Sequence, residues 1–421
     1  MTNHALRPVD ALFTSGVRED PVPVYRALHA GGPVHRLNDE WVVVCGYAEA
    51  DEVLRSPVFQ VKDSAFRERT RPGWIAAHPS AAMIGDSVIR ARAPHHERVR
   101  RLLSRPLTSR RVAGLREAAL GHTRRLLDGL AEQAAGGGPV DFVDGFAYPL
   151  PIALICELLG VPAGDRGWFR DRATDLSYVL EPAGRERDLS RADAAASELM
   201  EYFAGLVGER RERPEQDLIS SLVQVSDADA DADAGTGTDT GADGALLGER
   251  ELVVNLVLML AAGFETTASL LANGLGVLLD RPADRDRIAR DPAAAAACVQ
   301  EVLRHDPPAQ VTDRWATEDT VLGGLRIAEG TQVLVLLGAA NRDPRRFPDP
   351  DVFDPGRPAG PSLSFGAGPH FCLGSALARM EAEVAFHELF ARFPAMALAG
   401  TPVRTDRLAL RGYASLPVTL G

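Results

Sequence analysis

The chain has 421 residues, 45% hydrophobic and 25% charged, ordinary globular usage that excludes a collagen, a coiled-coil rod and a wholly disordered chain. At about 150 residues per domain, this length allows two or three domains or one enzyme-sized unit able to enclose a cofactor. Asp and Glu number 58 against 46 Lys and Arg, a formal charge of −12, which argues against nucleic acid as a partner because phosphate neutralisation needs a basic surface.

The N-terminal stretch lacks the basic start and apolar run of a signal peptide or membrane anchor. Val34 to Leu37 and Trp41 to Cys45, separated by Asn38-Asp39-Glu40, predict a β-hairpin. Apolar residues at three-to-four spacing predict helices over Val99 to Leu130, Pro151 to Leu159 and Arg191 to Arg213. Ser226 to Gly244 (SDADADADAGTGTDTGADG) contains no large apolar residue and predicts a mobile surface loop. A long apolar helix is predicted over Leu246 to Leu279, interrupted by Asn255 and Glu265, so it reads as a core helix and not a bilayer span. A helix around Ala293 to Arg304 follows. Thr320 to Ile327 and Gln332 to Leu337 predict two strands flanking the turn Ala328 to Thr331. A Pro/Gly-rich meander, Asn341 to Gly374, then runs into a final helix, Ser375 to Phe390. The class is α-rich with small sheets, in one unit over 1–421. Cys45, Cys156, Cys298 and Cys372 are too few and scattered for a disulfide framework or a CxxC zinc site, which fits a reducing cytoplasm.

Four segments could carry chemistry. In Phe365-Gly-Ala-Gly-Pro-His-Phe-Cys372-Leu-Gly374, glycines allow backbone amides to approach a sulfur, and a helix N-terminus follows; both favour a thiolate. Gly-rich turns around one cysteine are more often structural than ligating, so this segment alone does not choose. In Ala262-Gly263-Phe264-Glu265-Thr266-Thr267, the Thr266 hydroxyl can bond back to the Ala262 carbonyl and open a polar notch. A bent helix with Glu265 in a surface salt bridge explains that segment equally well. Glu301 and Arg304 pair at i, i+3, a pattern common on solvated surfaces. His96 and Arg100 share a helix face at i, i+4, and with Arg314 and His370 could clamp an anion.

Together, in this order, these segments resemble the cytochrome P450 superfamily, the haem-thiolate monooxygenases, and specifically its soluble bacterial, actinobacterial-type members. The resemblance extends from the Trp41 strand to the C-terminal strands and implies a single triangular fold enclosing haem b. It implies that Cys372 is the iron ligand, with Phe365, Gly368 and Gly374 shaping its loop. His96, Arg100, Arg314 and His370 match positions that pair with the haem propionates, although Arg92-Ala-Pro94-His95-His96 stands where relatives often have Asp-Pro-Pro-x-His, which makes His95 a competitor. Glu301, Arg304 and Arg357 match a structural triad. Ala262 and Gly263 are small where dioxygen must fit, and Glu265 and Thr266 match an acid-alcohol pair that passes protons through water.

The activity this resemblance implies is insertion of one oxygen atom from O2, by hydroxylation or epoxidation, into a hydrophobic small molecule of secondary metabolism such as a polyketide or macrolide. Oxidative coupling or desaturation on the same scaffold is the rival reaction; a non-catalytic haem sensor is the rival class, and it has no need of Glu265-Thr266. Electrons come from an external ferredoxin and ferredoxin reductase, docking on His95 to Arg111, which holds six arginines against one acid. Segments that line the pocket in relatives correspond to Val61 to Ile89, Ser177 to Arg191 and Pro308 to Thr312.

Overall fold

Two near-continuous apolar runs, Trp41–Val44 and Gln332–Leu336, form the centre of a five-stranded sheet and lie parallel, Val42 opposite Val333 and Val44 opposite Val335. The remaining strands are Val34–Arg36, antiparallel to Trp41–Val44 as the hairpin predicts, then Val311–Ala316 beside Gln332–Leu336, and Phe59–Gln60 at the far edge. Successive residues of a strand point to opposite faces. Val42, Val44, Val333 and Val335 therefore join one buried cluster with Val53, Leu54, Leu363 and Ala367, while Val43, Cys45, Leu334 and Leu336 join another with Leu12, Tyr25 and Leu28. Both faces are covered, which is why these strands read as unbroken apolar runs. A one-residue slip would exchange the two cores.

The structure, a computed structural model, describes residues 7–105, 109–182, 188–224, 247–358 and 360–421. The tract 226–244, predicted as a loop, lies outside the described residues. The chain, read from its sequence as one unit, groups into two compact units: Met1–Gln60, Ala119–Leu150 and Thr266–Gly421 in one, Val61–Ala118 and Pro151–Glu265 in the other. The second is helical, with Arg166–Ser177 packed on Ser190–Glu212 through the rings of Trp168, Phe169, Tyr202 and Phe203. The first holds the sheets and the helices Pro282–Arg290, Pro292–His305 and Ser375–Arg392, which pack on one another. The long helix runs Glu249–Leu278; it has the length and hydropathy of a membrane span, yet 78% of its apolar window is buried inside the protein, as in a core helix.

Two predicted elements are corrected. The helical stretch from Val99 to Leu130 is two helices, His95–Ser104 and Ser109–Ala134. The second β region pairs differently: Thr320–Leu322 and Leu325–Ile327 form their own hairpin about Gly323 and Gly324, both with positive φ, and Gln332–Leu336 joins the large sheet. A turn signal at Gly330 concealed the tighter turn.

Pro292–His305 starts at an Asp291 cap with proline in its first turn. It carries Glu301 and Arg304 inward. Arg304 grips Glu301 with two bonds, Nε to Oε2 at 2.8 Å and Nη2 to Oε1 at 2.7 Å. Its remaining N–H groups donate to the carbonyls of Asn341, Pro350 and Val352 at 2.8–3.0 Å. Asp354 N donates to Glu301 Oε1 at 2.9 Å, and Arg357 Nε lies 3.6 Å from the same oxygen while its Nη2 donates to the carbonyls of Asp349 and Val352. One buried ion pair thus organises the whole 341–357 meander. Arg304→Ala should leave Glu301 buried and uncompensated, costing about 3–5 kcal/mol, read as a lowered urea midpoint. Arg304→Lys should recover little, since an ammonium cannot reproduce the fork. A loss below about 1 kcal/mol in the alanine variant would contradict the role given to the pair.

Candidate active site

The cysteine loop hangs from the meander. Asn341 Oδ1 accepts from Leu363 N at 2.7 Å, its Nδ2 donates to Ser364 Oγ at 2.9 Å, and that hydroxyl donates to the carbonyl of Leu303 at 2.6 Å. Leu363 and Ala367 are buried against the sheet, so the chain between them is pinned at both ends. The loop then reverses through Gly366 and Gly368, with φ of +71° and +66°, and closes where Cys372 N donates to the Phe365 carbonyl at 2.9 Å. At Gly368 a Cβ would stand 2.6 Å from the Leu54 carbonyl oxygen and 3.0 Å from Arg55 Cα, both backbone. Glycine is therefore required there twice, for conformation and for space. Gly374, expected to tighten the loop, has an ordinary φ of −85°, and a Cβ there would meet nothing nearer than Cys372 Sγ at 3.9 Å.

The four cysteines separate by environment. Cys45, Cys156 and Cys298 are buried, and burial pushes each thiol up to about 12. Cys372 is exposed, three residues before the N-terminus of Ser375–Arg392. The Phe365 ring tilts toward Phe371 at 6.4 Å, and the guanidinium of Arg379, a residue the sequence reading missed, lies 4.5 Å over its centroid. His370, part-exposed, ends the short 3-10 turn Gly368–His370. Arg314 is buried on the strand Val311–Ala316, where its Nη1 donates to the Asp313 carbonyl at 2.7 Å and to Thr312 Oγ1 at 3.3 Å.

His96 and Arg100 stand on one face of His95–Ser104, His96 buried and Arg100 part-exposed. His95 is exposed and bonded to Glu251 at 3.0 Å, with Arg98 on the same carboxylate at 2.6 Å. Of the two adjacent histidines, His96 is the one that points inward. On the helix Glu249–Leu278, Ala262 is the one exposed residue between Leu252 and Leu278, and Met259, Gly263 and Thr266, its neighbours on that face, are only partly covered. Glu265 and Thr267 are buried. A Cβ on Gly263 would lie 3.0 Å from Ile155 Cδ1, so packing against Pro149–Leu159 keeps this position small. This core helix is thus open to one side at Ala262. By unit, Cys372, Phe365, Gly368, Gly374, Arg314, His370 and Thr266 fall in one, and His96, Arg100, Ala262, Gly263 and Glu265 in the other.

The sequence pattern of the family described as Cytochrome P450 matches residues 294–408, the stretch that holds both the Glu301–Arg304 pair and the cysteine loop. The chain is 38% identical to the 6-deoxyerythronolide B hydroxylase of Saccharopolyspora erythraea over 92% of each chain. It is 36% identical to the cytochrome P450 monooxygenase PikC of Streptomyces venezuelae, covering 95% of this chain and 91% of that one. The chain belongs to the cytochrome P450 family. Among solved structures, P450BioI in complex with hexadec-9Z-enoic acid ligated acyl carrier protein superposes with a TM-score of 0.84 at 31% identity, over 96% of this P450 and all of that chain. The fold is mainly α with small sheets, and the protein is a P450 monooxygenase that uses haem iron, O2 and electrons from redox partners. The cysteine loop fits a haem ligand: an exposed cysteine on a backbone-clamped loop, where the other thiols are buried. Gly368→Ala should destabilise this P450 by about 1–3 kcal/mol, since the new Cβ meets backbone that cannot rotate away. Thermal unfolding measures it; a change within about 0.5 kcal/mol would show that the loop is not held against Leu54.

Proposed function

We propose that this P450 hydroxylates or epoxidises a hydrophobic small molecule of secondary metabolism, such as a polyketide or macrolide, in the cytoplasm, with haem b as its resident group. The open stripe at Ala262 and Gly263, with Glu265 and Thr266 beside it in sequence, carries this reading: it unites space for a diatomic gas with two groups able to handle protons. Cys372 would ligate the iron, and Arg100 and Arg314 as cations, with His96 and His370 as hydrogen-bond donors, would hold the propionates. Phe365, Gly368 and Gly374 would form the loop under the ligand. The haem, when bound, supplies activation of dioxygen for insertion of one atom into a C–H or C=C bond.

The chain's own contribution is to direct protons. Thr266 Oγ1 can donate to a water while accepting from another, and the Glu265 carboxyl can exchange protons with solvent through such waters. A ligand sensor has no use for that pair. The apolar content of Val61 to Ile89 and Ser177 to Arg191 supports a hydrophobic substrate. Phe66, Met83 and Ile84 lie in the core, whereas Ile89 and Tyr178 stay exposed. The relative named for 6-deoxyerythronolide B supports a secondary-metabolite role. For electron supply, ferredoxin with its reductase is favoured by exposed Arg101 and Arg105; Arg98, held by Glu251, contributes less.

A panel of hydrophobic natural products that includes 6-deoxyerythronolide B, screened by the Soret shift on binding, supplies a test compound. Thr266→Ala should keep haem content and affinity for that compound, while product per reducing equivalent falls roughly ten- to hundredfold and peroxide rises. Unchanged coupling would contradict the relay, and loss of haem would assign Thr266 to structure alone.

A further inference from the structure

Arg379 stands on the second turn of Ser375–Arg392, the helix that follows the cysteine loop. Side chains of a helix tilt toward its N-terminus, and this one reaches back over the Phe365 ring, its guanidinium carbon 4.5 Å from the centroid. The same Phe365 supplies the carbonyl that accepts from Cys372 N, so one residue positions both the cation and the sulfur. Arg379 is half-buried, and among the described residues it makes no ion pair and its Nε–H finds no acceptor. A surface arginine could turn to water; this one is held by a ring. Burial lowers the proton affinity of its guanidinium, and the negative charge of Cys372 as a thiolate opposes that most, ahead of Glu383 one turn on. An arginine in such a site stays charged.

We propose that Arg379 is a positioning residue for the thiolate: a fixed positive charge that draws electron density from Cys372 and eases entry of the first electron from the redox partner. This rests on Cys372 being the iron ligand. The physics is Coulombic. A cation near sulfur favours the state with one more electron, and the partly buried site weakens screening by salt. The Phe365 stack matters because it holds the guanidinium over the ring without neutralising the charge.

Arg379→Met removes the charge and keeps an apolar, polarisable contact with the ring. Measured by spectroelectrochemistry on the haem-loaded enzyme, its one-electron reduction equilibrium should move about tenfold toward the oxidised form, equivalent to about 59 mV. Arg379→Lys should move it by less than half as much on the same logarithmic scale. Glu383→Gln, which removes the opposing negative charge, should move it the other way, and this keeps the proposal testable if the methionine variant does not fold. The long-wavelength Soret band of the reduced carbonyl complex should persist in all three. Its absence from the unmodified enzyme would overturn the cysteine ligation itself. A persisting band with an equilibrium within twofold of the unmodified enzyme, whether or not ferredoxin reduces the variant more slowly, would overturn the role given to Arg379; a slower, salt-sensitive reduction would then make it a docking cation.

Discussion

A carboxylate cannot be buried without partners, and Glu301 is buried on the inner face of Pro292–His305. Its need for donors is met by Arg304 and the Asp354 amide, with the Arg357 guanidinium adding charge at 3.6 Å. Arg304 in turn must spend its other N–H groups on carbonyls of the meander. An irregular segment, with no helix or strand to satisfy its backbone, is thereby given one conformation. From that segment Asn341 and Ser364 carry the constraint to the start of the cysteine loop, and the sheet face formed by Val42, Val44, Val333 and Val335 holds Leu363 and Ala367 on the other side. The position of Cys372 is thus a consequence of one ion pair and one apolar surface, neither of which touches the sulfur.

The long helix resolves a second conflict. Its composition is that of a core element, and nearly all of it is buried, yet one face stays open at Ala262. Ala262 leaves one face of the helix open, and at Gly263 Ile155 occupies the volume that a larger side chain would need. Helix propensity is sacrificed there, at about 1 kcal/mol for the glycine. The polar pair Glu265-Thr266 sits directly after that break, where a purely structural helix would continue with leucine or valine.

Much of this was legible in the sequence because it depends on local rules. The hairpin at Asn38 to Glu40, the amphipathic helices and the glycine loop each carry their own signal in spacing and turn residues. The partner choice of Gln332–Leu336 was not legible, since pairing of a buried strand with Trp41–Val44, distant in sequence, leaves no local mark. Arg379 was missed for a related reason: an arginine on an amphipathic helix reads as solvated until a ring is found beneath it. His95 stayed a competitor to His96 in the sequence because its partner, Glu251, is brought near only by the fold. Thr320 to Ile327 misled because alternation of apolar residues does not show where a strand folds back on itself.

The account stands on Cys372 as the single thiolate ligand, and the most direct measurement is the reduced carbonyl spectrum of four separate variants, Cys45→Ser, Cys156→Ser, Cys298→Ser and Cys372→Ser. The three buried thiols are inert by environment, so their loss should leave the long-wavelength Soret band in place, with at most reduced stability. Cys372→Ser should abolish it, because only a thiolate raises electron density at the iron enough to move the band. Retention of the band in the Cys372 variant, with loss in any of the other three, would contradict the account.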